Sequence, residues 1–219
     1  MTDIKACIFD LDGVIVDTAR YHYQAWRRLA NSLGFDFTEA DNEHLKGVSR
    51  AESLRIILSL GGVSLPEAEQ EALAAKKNDW YVALISQVGA EELLPGARAF
   101  LEALRAAGYK IALGSASKNA RTILERTGIL PLFDAVIDGN HTTKGKPDPQ
   151  VFLMGAEALG LPPEACVVFE DAQKGIEAAR NGGFPCVGIG DPGTLAQADR
   201  VLPGLHAMRV EDLPALARA

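Results

Sequence analysis

The sequence predicts an α/β protein, a doubly wound parallel sheet carrying a small inserted block of helices, and three observations support this. Along residues 89–219, short apolar runs ending in polar or glycine-rich turns alternate with helix-period segments, the pattern of βαβ units on a parallel sheet. One further apolar run stands alone near the N-terminus. Between about residues 17 and 88 the alternation fails and only helical patterns occur. The expected organisation is therefore a core of residues 1–16 and 89–219 with a helical cap of residues 17–88.

The first strand is read over Lys5–Phe9, whose apolar character suits burial on both faces. In the cap, His22–Leu33 places Trp26, Leu29, Ala30 and Leu33 on one helical face. Ala51–Leu60 repeats that pattern, and Ser64-Leu65-Pro66-Glu67 reads as a capping box that opens a third, long helix. Three or four cap helices are expected, with chain crossings near Val14–Thr18 and Gly89–Leu94 that could act as a hinge. Back in the core, Gly96–Ala107, Asn119–Thr127, Pro149–Leu159 and Ala172–Asn181 read as helices. Each is followed by a glycine suited to a left-handed C-terminal cap: Gly108, Gly128, Gly160 and Gly182. Asp148-Pro149 supplies an N-cap and a first-turn proline to the third of them. The remaining strands are Lys110–Leu113, Ala135–Ile137, Cys166–Phe169 and Pro185–Ile189, with Arg200–Leu202 a weaker candidate.

Composition narrows the functions open to this chain. With 219 residues, 47% hydrophobic and 23% charged, it can bury a real core, which excludes disordered and collagen-like classes. Its 22 basic and 29 acidic residues give a net charge of −7, and no block of five like charges occurs. A nucleic-acid partner is disfavoured, and an anionic substrate would have to be attracted locally against the net field. Cys7, Cys166 and Cys186 each sit in an apolar run without metal-ligand spacing, as buried reduced thiols do. No window approaches the ~18 apolar residues of a membrane span, and charges interrupt any signal-type stretch at Asp3, Lys5 and Asp10. A cytoplasmic protein without a membrane partner is expected.

The chemistry gathers at the strand ends. Asp10 and Asp12, at i and i+2 beyond the first strand, project to one side where open α/β sheets bind ligands. Two carboxylates about 4 Å apart repel by roughly 4 kcal/mol at an effective dielectric of 20, so the pair asks for a cation or a proton, unless Asp12-Gly13 is simply a turn. The fourth strand ends in Glu170-Asp171 at the same edge. An oxygen-rich cluster poor in His and Cys suits magnesium better than zinc. Ser115-Ala116-Ser117-Lys118-Asn119, before a helix, offers hydroxyls, backbone N–H groups and a helix N-terminus to an anion, although Ser-x-x-Asn is also an ordinary N-cap. Lys146, after the third strand, can bring an ammonium to that edge.

In order and spacing, Asp10-x-Asp12-Gly13-x-x-x-Asp17-Thr18, Ser115, Lys146 and Glu170-Asp171 resemble the four motifs of the haloacid dehalogenase superfamily, which has a Rossmann-like core. The helical insert after the first motif is similar to that superfamily's small cap. Further strings resemble the β-phosphoglucomutase family within it: Asp17-Thr18-Ala19-x-Tyr21-His22, Ala25-Trp26, Leu45-Lys46-Gly47-Val48-Ser49-Arg50, Glu52-Ser53-Leu54, Lys77-Asn78-Asp79 and Ser115–Asn119. Ala172 departs from the serine common after the acidic pair, and Gly139–Lys144 and the tail after Gly190 match poorly.

This resemblance implies a phosphomutase that interconverts β-glucose 1-phosphate and glucose 6-phosphate. Asp10 would be the nucleophile and Asp12 the general acid and base. Mg2+ would be held by Asp10, the Asp12 carbonyl, Glu170 and Asp171, and Ser115 and Lys146 would bind the transferring phosphoryl group. Thr18 and His22 would steer Asp12 and the hinge. Arg50, in Lys46-Gly47-Val48-Ser49-Arg50, would grip a distal phosphate bidentately, helped by Lys118 and Asn119 on the core side, with Ala116 and Ser117 also in the substrate site, while Ser53 and Lys77 would contact the sugar phosphate or close the cap. Trp26 and Leu45 are either cap core or pocket wall, with periodicity favouring core. β-Glucose 1,6-bisphosphate would prime the enzyme, small sugar phosphates would be its only partners, and a monomer would suffice. A sugar-phosphate phosphatase on the same scaffold is the alternative enzyme, and a catalytically silent binding module would not need all these acids and Lys146.

Overall fold

The computed structural model describes residues 3–217. Six strands, β1 (Ala6–Phe9), β2 (Lys110–Gly114), β3 (Ala135–Ile137), β4 (Cys166–Glu170), β5 (Cys186–Ile189) and β6 (Arg200–Leu202), form one sheet in the order β3-β2-β1-β4-β5-β6. Every neighbouring pair is parallel. In β1, which lies between β2 and β4, successive side chains go to opposite faces. Cys7 and Phe9 join Val167, Phe169, Ile111 and Leu113 against helix α5 (Ala97–Ala106) and helix α6 (Ala120–Arg126). Ala6 and Ile8 join Val168 and Ala112 against α7 (Gln150–Leu159) and α8 (Gln173–Asn181). Phe9 stacks on Phe169 with 4.7 Å between ring centroids, and the strand that leads into Asp10 is held by a strand on either side and packed on both faces. All three cysteines are buried.

The insert contributes α1 (Ala19–Ser32), α2 (Glu39–Glu43), α3 (Arg50–Leu60) and α4 (Glu67–Ile85) and no strand. Its own apolar centre is built from Trp26, Leu29, Ala30, Phe37, Leu45, Leu54, Ile57 and Leu58, a cluster separate from the two that flank the sheet. Where the chain leaves and re-enters the core, Val16 bridges Leu93 in antiparallel fashion. The Leu94 N–H donates to Ile15 O at 2.9 Å and the Asp17 N–H to Glu92 O at 3.0 Å. The buried Glu92 carboxylate also accepts from Arg20 and, at 2.9 Å, from the Tyr21 hydroxyl. Exit and return are thus one short two-stranded seam.

Three local expectations change. The Ser64–Glu67 capping box does not form, because a residue before proline is pushed to extended geometry and α4 therefore starts only after Pro66, which is its N-cap. A capping box does open α2, between Thr38 and Asp41. After α8 the left-handed residue is Gly183, with φ 82, not Gly182, with φ −84. Pro149 is itself the N-cap of α7, and Asp148 caps from one residue earlier by accepting the Gln150 N–H at 3.0 Å.

Candidate active site

Asp10 follows β1 directly, and its N–H donates to Phe169 O at 2.9 Å, which continues the sheet ladder to the carboxyl edge of the strands. Lys146 Nζ donates to Asp10 Oδ1 at 2.5 Å and to Glu170 Oε1 at 2.7 Å. Both the lysine and the glutamate side chains are almost wholly buried, at 1% and 0% exposure. Glu170 Oε2 accepts the N–H groups of Asp171, at 2.6 Å, and Ala172, at 3.0 Å. Ala172 thus serves this site through its backbone, which the missing serine hydroxyl leaves intact. The glutamate lies against α8 only because residue 175 is glycine: a Cβ there would sit 1.7 Å from Glu170 Oε1. At Gly13 the left-handed φ of 83° and the Asp171 carboxylate, 2.2 Å from where a Cβ would stand, both demand glycine.

Asp10, Glu170 and Asp171 each offer a carboxylate oxygen, and all three oxygens lie within 4.8 Å of one another. Lys146 alone cannot neutralise them. Burial pushes the Asp10 carboxyl up to about 7, with Lys146 opposing and Glu170 adding to the rise. Burial, then Glu170 and Asp10, push Asp171 well above the ordinary carboxylate range. Under-compensated hard oxygens on adjoining strands fit a small divalent cation such as Mg2+.

Asp12 stands beside this cluster, half-buried, and its carboxylate accepts the Thr18 hydroxyl. Burial raises its pKa, while the Thr18 hydrogen bond, Lys146 and Lys77 pull the other way. Across from it, the Ser115 hydroxyl accepts the Ser117 N–H at 3.1 Å and the Ser117 hydroxyl accepts the Asn119 N–H at 3.3 Å. This curls the loop into a cradle. Helix α6, seven residues long with Asn119 as its N-cap, begins directly behind it.

From the cap, Arg50 donates to Asn78 Oδ1 at 2.8 Å, and Asn119 of the core donates to the same oxygen at 3.0 Å. Asn78 therefore ties cap to core over the cavity. Lys77 Nζ lies 3.0 Å from His22 Nδ1 and 4.2 Å from the centroid of the Trp26 ring. Burial, then the neighbouring Lys77 and Arg50 cations, hold His22 well below its usual pKa. Burial, then Arg50, lowers Lys77 as well. Lys46 pairs with Glu43 at 2.8 Å and lies near Asp171.

One cavity is lined by Asp10, Asp12, His22, Trp26, Lys46, Gly47, Val48, Arg50, Ser53, Lys77, Ser115, Ala116, Ser117, Lys118, Asn119 and Asp171. Lys146 and Glu170 lie behind Asp10 rather than on its wall, and Thr18 reaches the cavity only through Asp12. Ser49 is not on the wall either, because its hydroxyl caps α3 by accepting the Glu52 N–H at 3.3 Å. Trp26 and Leu45 are both buried cap core and cavity wall, so neither alternative excludes the other. Sequence reasoning gave no role to Asn42, Asn78 or Tyr81. Asn78 lies within the quoted Lys77-Asn78-Asp79 string, and Tyr81 lies one helical turn beyond Lys77 on α4. Among the described residues no helix is long and apolar enough to cross a membrane.

The haloacid dehalogenase-like hydrolase family matches residues 4–183. A β-phosphoglucomutase of Bacillus subtilis is 44% identical over 201 residues, covering 91% of this chain and 89% of its own. One from Mycobacterium bovis is 35% identical over 222 residues, covering 89% of this chain and 84% of its own. The crystal structure of β-phosphoglucomutase from Clostridium difficile superposes with a TM-score of 0.94 at 41% identity, covering 98% of this chain and 97% of that one.

Proposed function

The chain belongs to the haloacid dehalogenase-like hydrolase family, and from that premise we propose that it interconverts β-glucose 1-phosphate and glucose 6-phosphate. The reaction runs through an aspartyl phosphate and β-glucose 1,6-bisphosphate, which also primes the enzyme. The similar β-phosphoglucomutases support this reading. The observation that carries it is the pairing of two anion-binding groups around one cavity. Ser115 shares the cavity wall with Asp10, to which Lys146 is bonded from behind, while Arg50 and Asn119 converge on a single oxygen at the cap–core boundary. A hydrolase needs only the first, whereas a mutase must also grip the distal phosphate of a bisphosphate.

In the forward half-reaction an Asp10 carboxylate oxygen bonds to phosphorus as the bond to the sugar oxygen breaks. Asp12 gives its proton to that oxygen and recovers one from the sugar hydroxyl that attacks next. Lys146 and the Ser115 loop neutralise the equatorial oxygens, where positioning and charge supply most of the acceleration. Mg2+, held by Asp10, the Asp12 carbonyl, Glu170 and Asp171, would screen the negative charge shared by nucleophile and phosphate. Arg50, Lys118 and Asn119 hold the distal phosphate, and Ser53, Lys77 and His22 face the sugar. Closure of a cap spanning residues 17–88 on a core of residues 1–16 and 89–219 excludes water from the aspartyl phosphate. The same reading takes the protein as a cytoplasmic monomer with no partner beyond its sugar phosphates.

A phosphorus NMR time course with β-glucose 1-phosphate, Mg2+ and a trace of the bisphosphate tests this. Conversion to glucose 6-phosphate with little inorganic phosphate is expected. Inorganic phosphate rising in step with substrate loss would make the protein a sugar-phosphate phosphatase.

A further inference from the structure

Tyr81 lies on α4 and is wholly buried, yet its hydroxyl makes no hydrogen bond, the one buried side-chain polar atom among the described residues in that state. Its surroundings are those of the active site. The ring stacks on His22 with 3.9 Å between centroids, and Lys77 Nζ stands 4.9 Å from the ring centroid. The hydroxyl lies beside Thr18 and Ser117, within the electrostatic reach of Asp12 and Arg50. An orphaned buried hydroxyl is destabilising where phenylalanine would fill the same space. A hydroxyl has one proton and two acceptor lone pairs. Thr18 uses its proton on Asp12 and retains the capacity to accept.

We propose that Tyr81 is a positioning residue that donates to the Thr18 hydroxyl in the substrate-bound enzyme and so holds Asp12 in the orientation for proton transfer. The proposal rests on the function given above, in which Asp12 carries the proton. Tyr81 arrives on a cap helix, whereas Thr18 lies at the first chain crossing and Asp12 in the core. The resulting series of donors, Tyr81 to Thr18 to Asp12, makes the placement of the acid depend on the placement of the cap. Hydrogen bonds in series also strengthen one another.

The test compares the full-length wild type with Tyr81→Phe, Thr18→Val and the double variant, in kcat, KM and thermal midpoint with Mg2+ and β-glucose 1-phosphate. Tyr81→Phe is expected to lower kcat at least tenfold with KM within twofold, while the midpoint holds or rises by about 2–4 °C. The double variant should be no slower than Thr18→Val alone. A Tyr81→Phe kcat within twofold of wild type overturns the proposal. So does a loss of kcat accompanied by a lower midpoint and a raised KM, which would mark a packing role. Multiplying losses in the double variant would show that Tyr81 does not act through Thr18, and would overturn it too. If the wild type proves to be a phosphatase, the mutase reading fails separately. The same comparison then applies to hydrolysis, and an unchanged Tyr81→Phe kcat there overturns this inference on its own.

Discussion

Gly175→Ala isolates the seat of Glu170. Gly175 stands in the first turn of α8, and a Cβ on it would lie 1.7 Å from Glu170 Oε1, 2.0 Å from Cδ and 2.4 Å from Cγ. The carboxylate is the far end of a flexible side chain and could in principle swing clear. Here it is wholly buried, with one oxygen on Lys146 and the other on two backbone N–H groups. Alanine at a helical position favours folding over glycine by at most about 1 kcal/mol. Breaking a buried ion pair costs about 3–5 kcal/mol, and the lower end applies because Lys146 keeps its bond to Asp10. The difference is a net loss of about 2 kcal/mol, or roughly 4–8 °C in the thermal midpoint of a chain this size. Circular dichroism melts of the apoprotein measure this, and a Mg2+ titration should show weakened binding in parallel. In a Glu170→Ala background the clash disappears, so Gly175→Ala should there be neutral or stabilising by up to about 1 kcal/mol. A wild-type or higher midpoint for the single variant would refute the steric reasoning.

Asp10→Asn should abolish turnover while keeping Mg2+-dependent sugar-phosphate binding by calorimetry; wild-type turnover would remove Asp10 as nucleophile. Arg50→Ala should reduce mutase flux at least tenfold and leave Mg2+ affinity within twofold, because Arg50 contacts Asn78 and none of the acidic cluster; equal losses would mean that it supports the fold. Chelation by EDTA should stop turnover without changing the far-ultraviolet spectrum, and added Mg2+ should restore it. His22 is held well below its ordinary pKa of 6.5, so above that pH the folded and unfolded states are both neutral and the group is silent. Below it the unfolded chain binds the proton first, and stability falls by up to about 1.4 kcal/mol per pH unit from this group. Urea denaturation between pH 7 and 5 should therefore show a shallower decline for His22→Gln than for wild type, and parallel declines would contradict the burial argument.

Much of this site is readable from the chain because its acids sit at the ends of short apolar runs, and Lys146 in the loop after another, so that the runs mark the edge these residues reach. Ala6–Phe9 and Cys166–Glu170 are short and apolar, and their parallel pairing brings Asp10 and Glu170-Asp171 to one edge. What escapes sequence reasoning depends on contacts between distant elements. Nothing in Lys77-Asn78-Asp79 indicates that Asn78 is the residue accepting from both Arg50 and Asn119. Nor does the local pattern around Thr18, one residue before α1, reveal that its hydroxyl leaves the helix uncapped and serves Asp12 instead. Ser64 misled for the opposite reason, since a local motif was overridden by the equally local restriction imposed by Pro66.

The seam at which the insert leaves and rejoins the core has a consequence for how such an enzyme diversifies. Ile15 to Asp17 and Glu92 to Leu94 are already held together by their own backbone hydrogen bonds. Seen from the sheet, everything between them is a loop with fastened ends, and the entropy of closing a loop rises only with the logarithm of its length. The cost of closing that seam is therefore nearly indifferent to the size of what hangs from it. A lineage can exchange one lid for another at little cost in loop closure, altering which molecules are admitted, so long as the new lid refills the places that Ala25, Tyr81 and Ile85 hold beside Phe9 and Ile15.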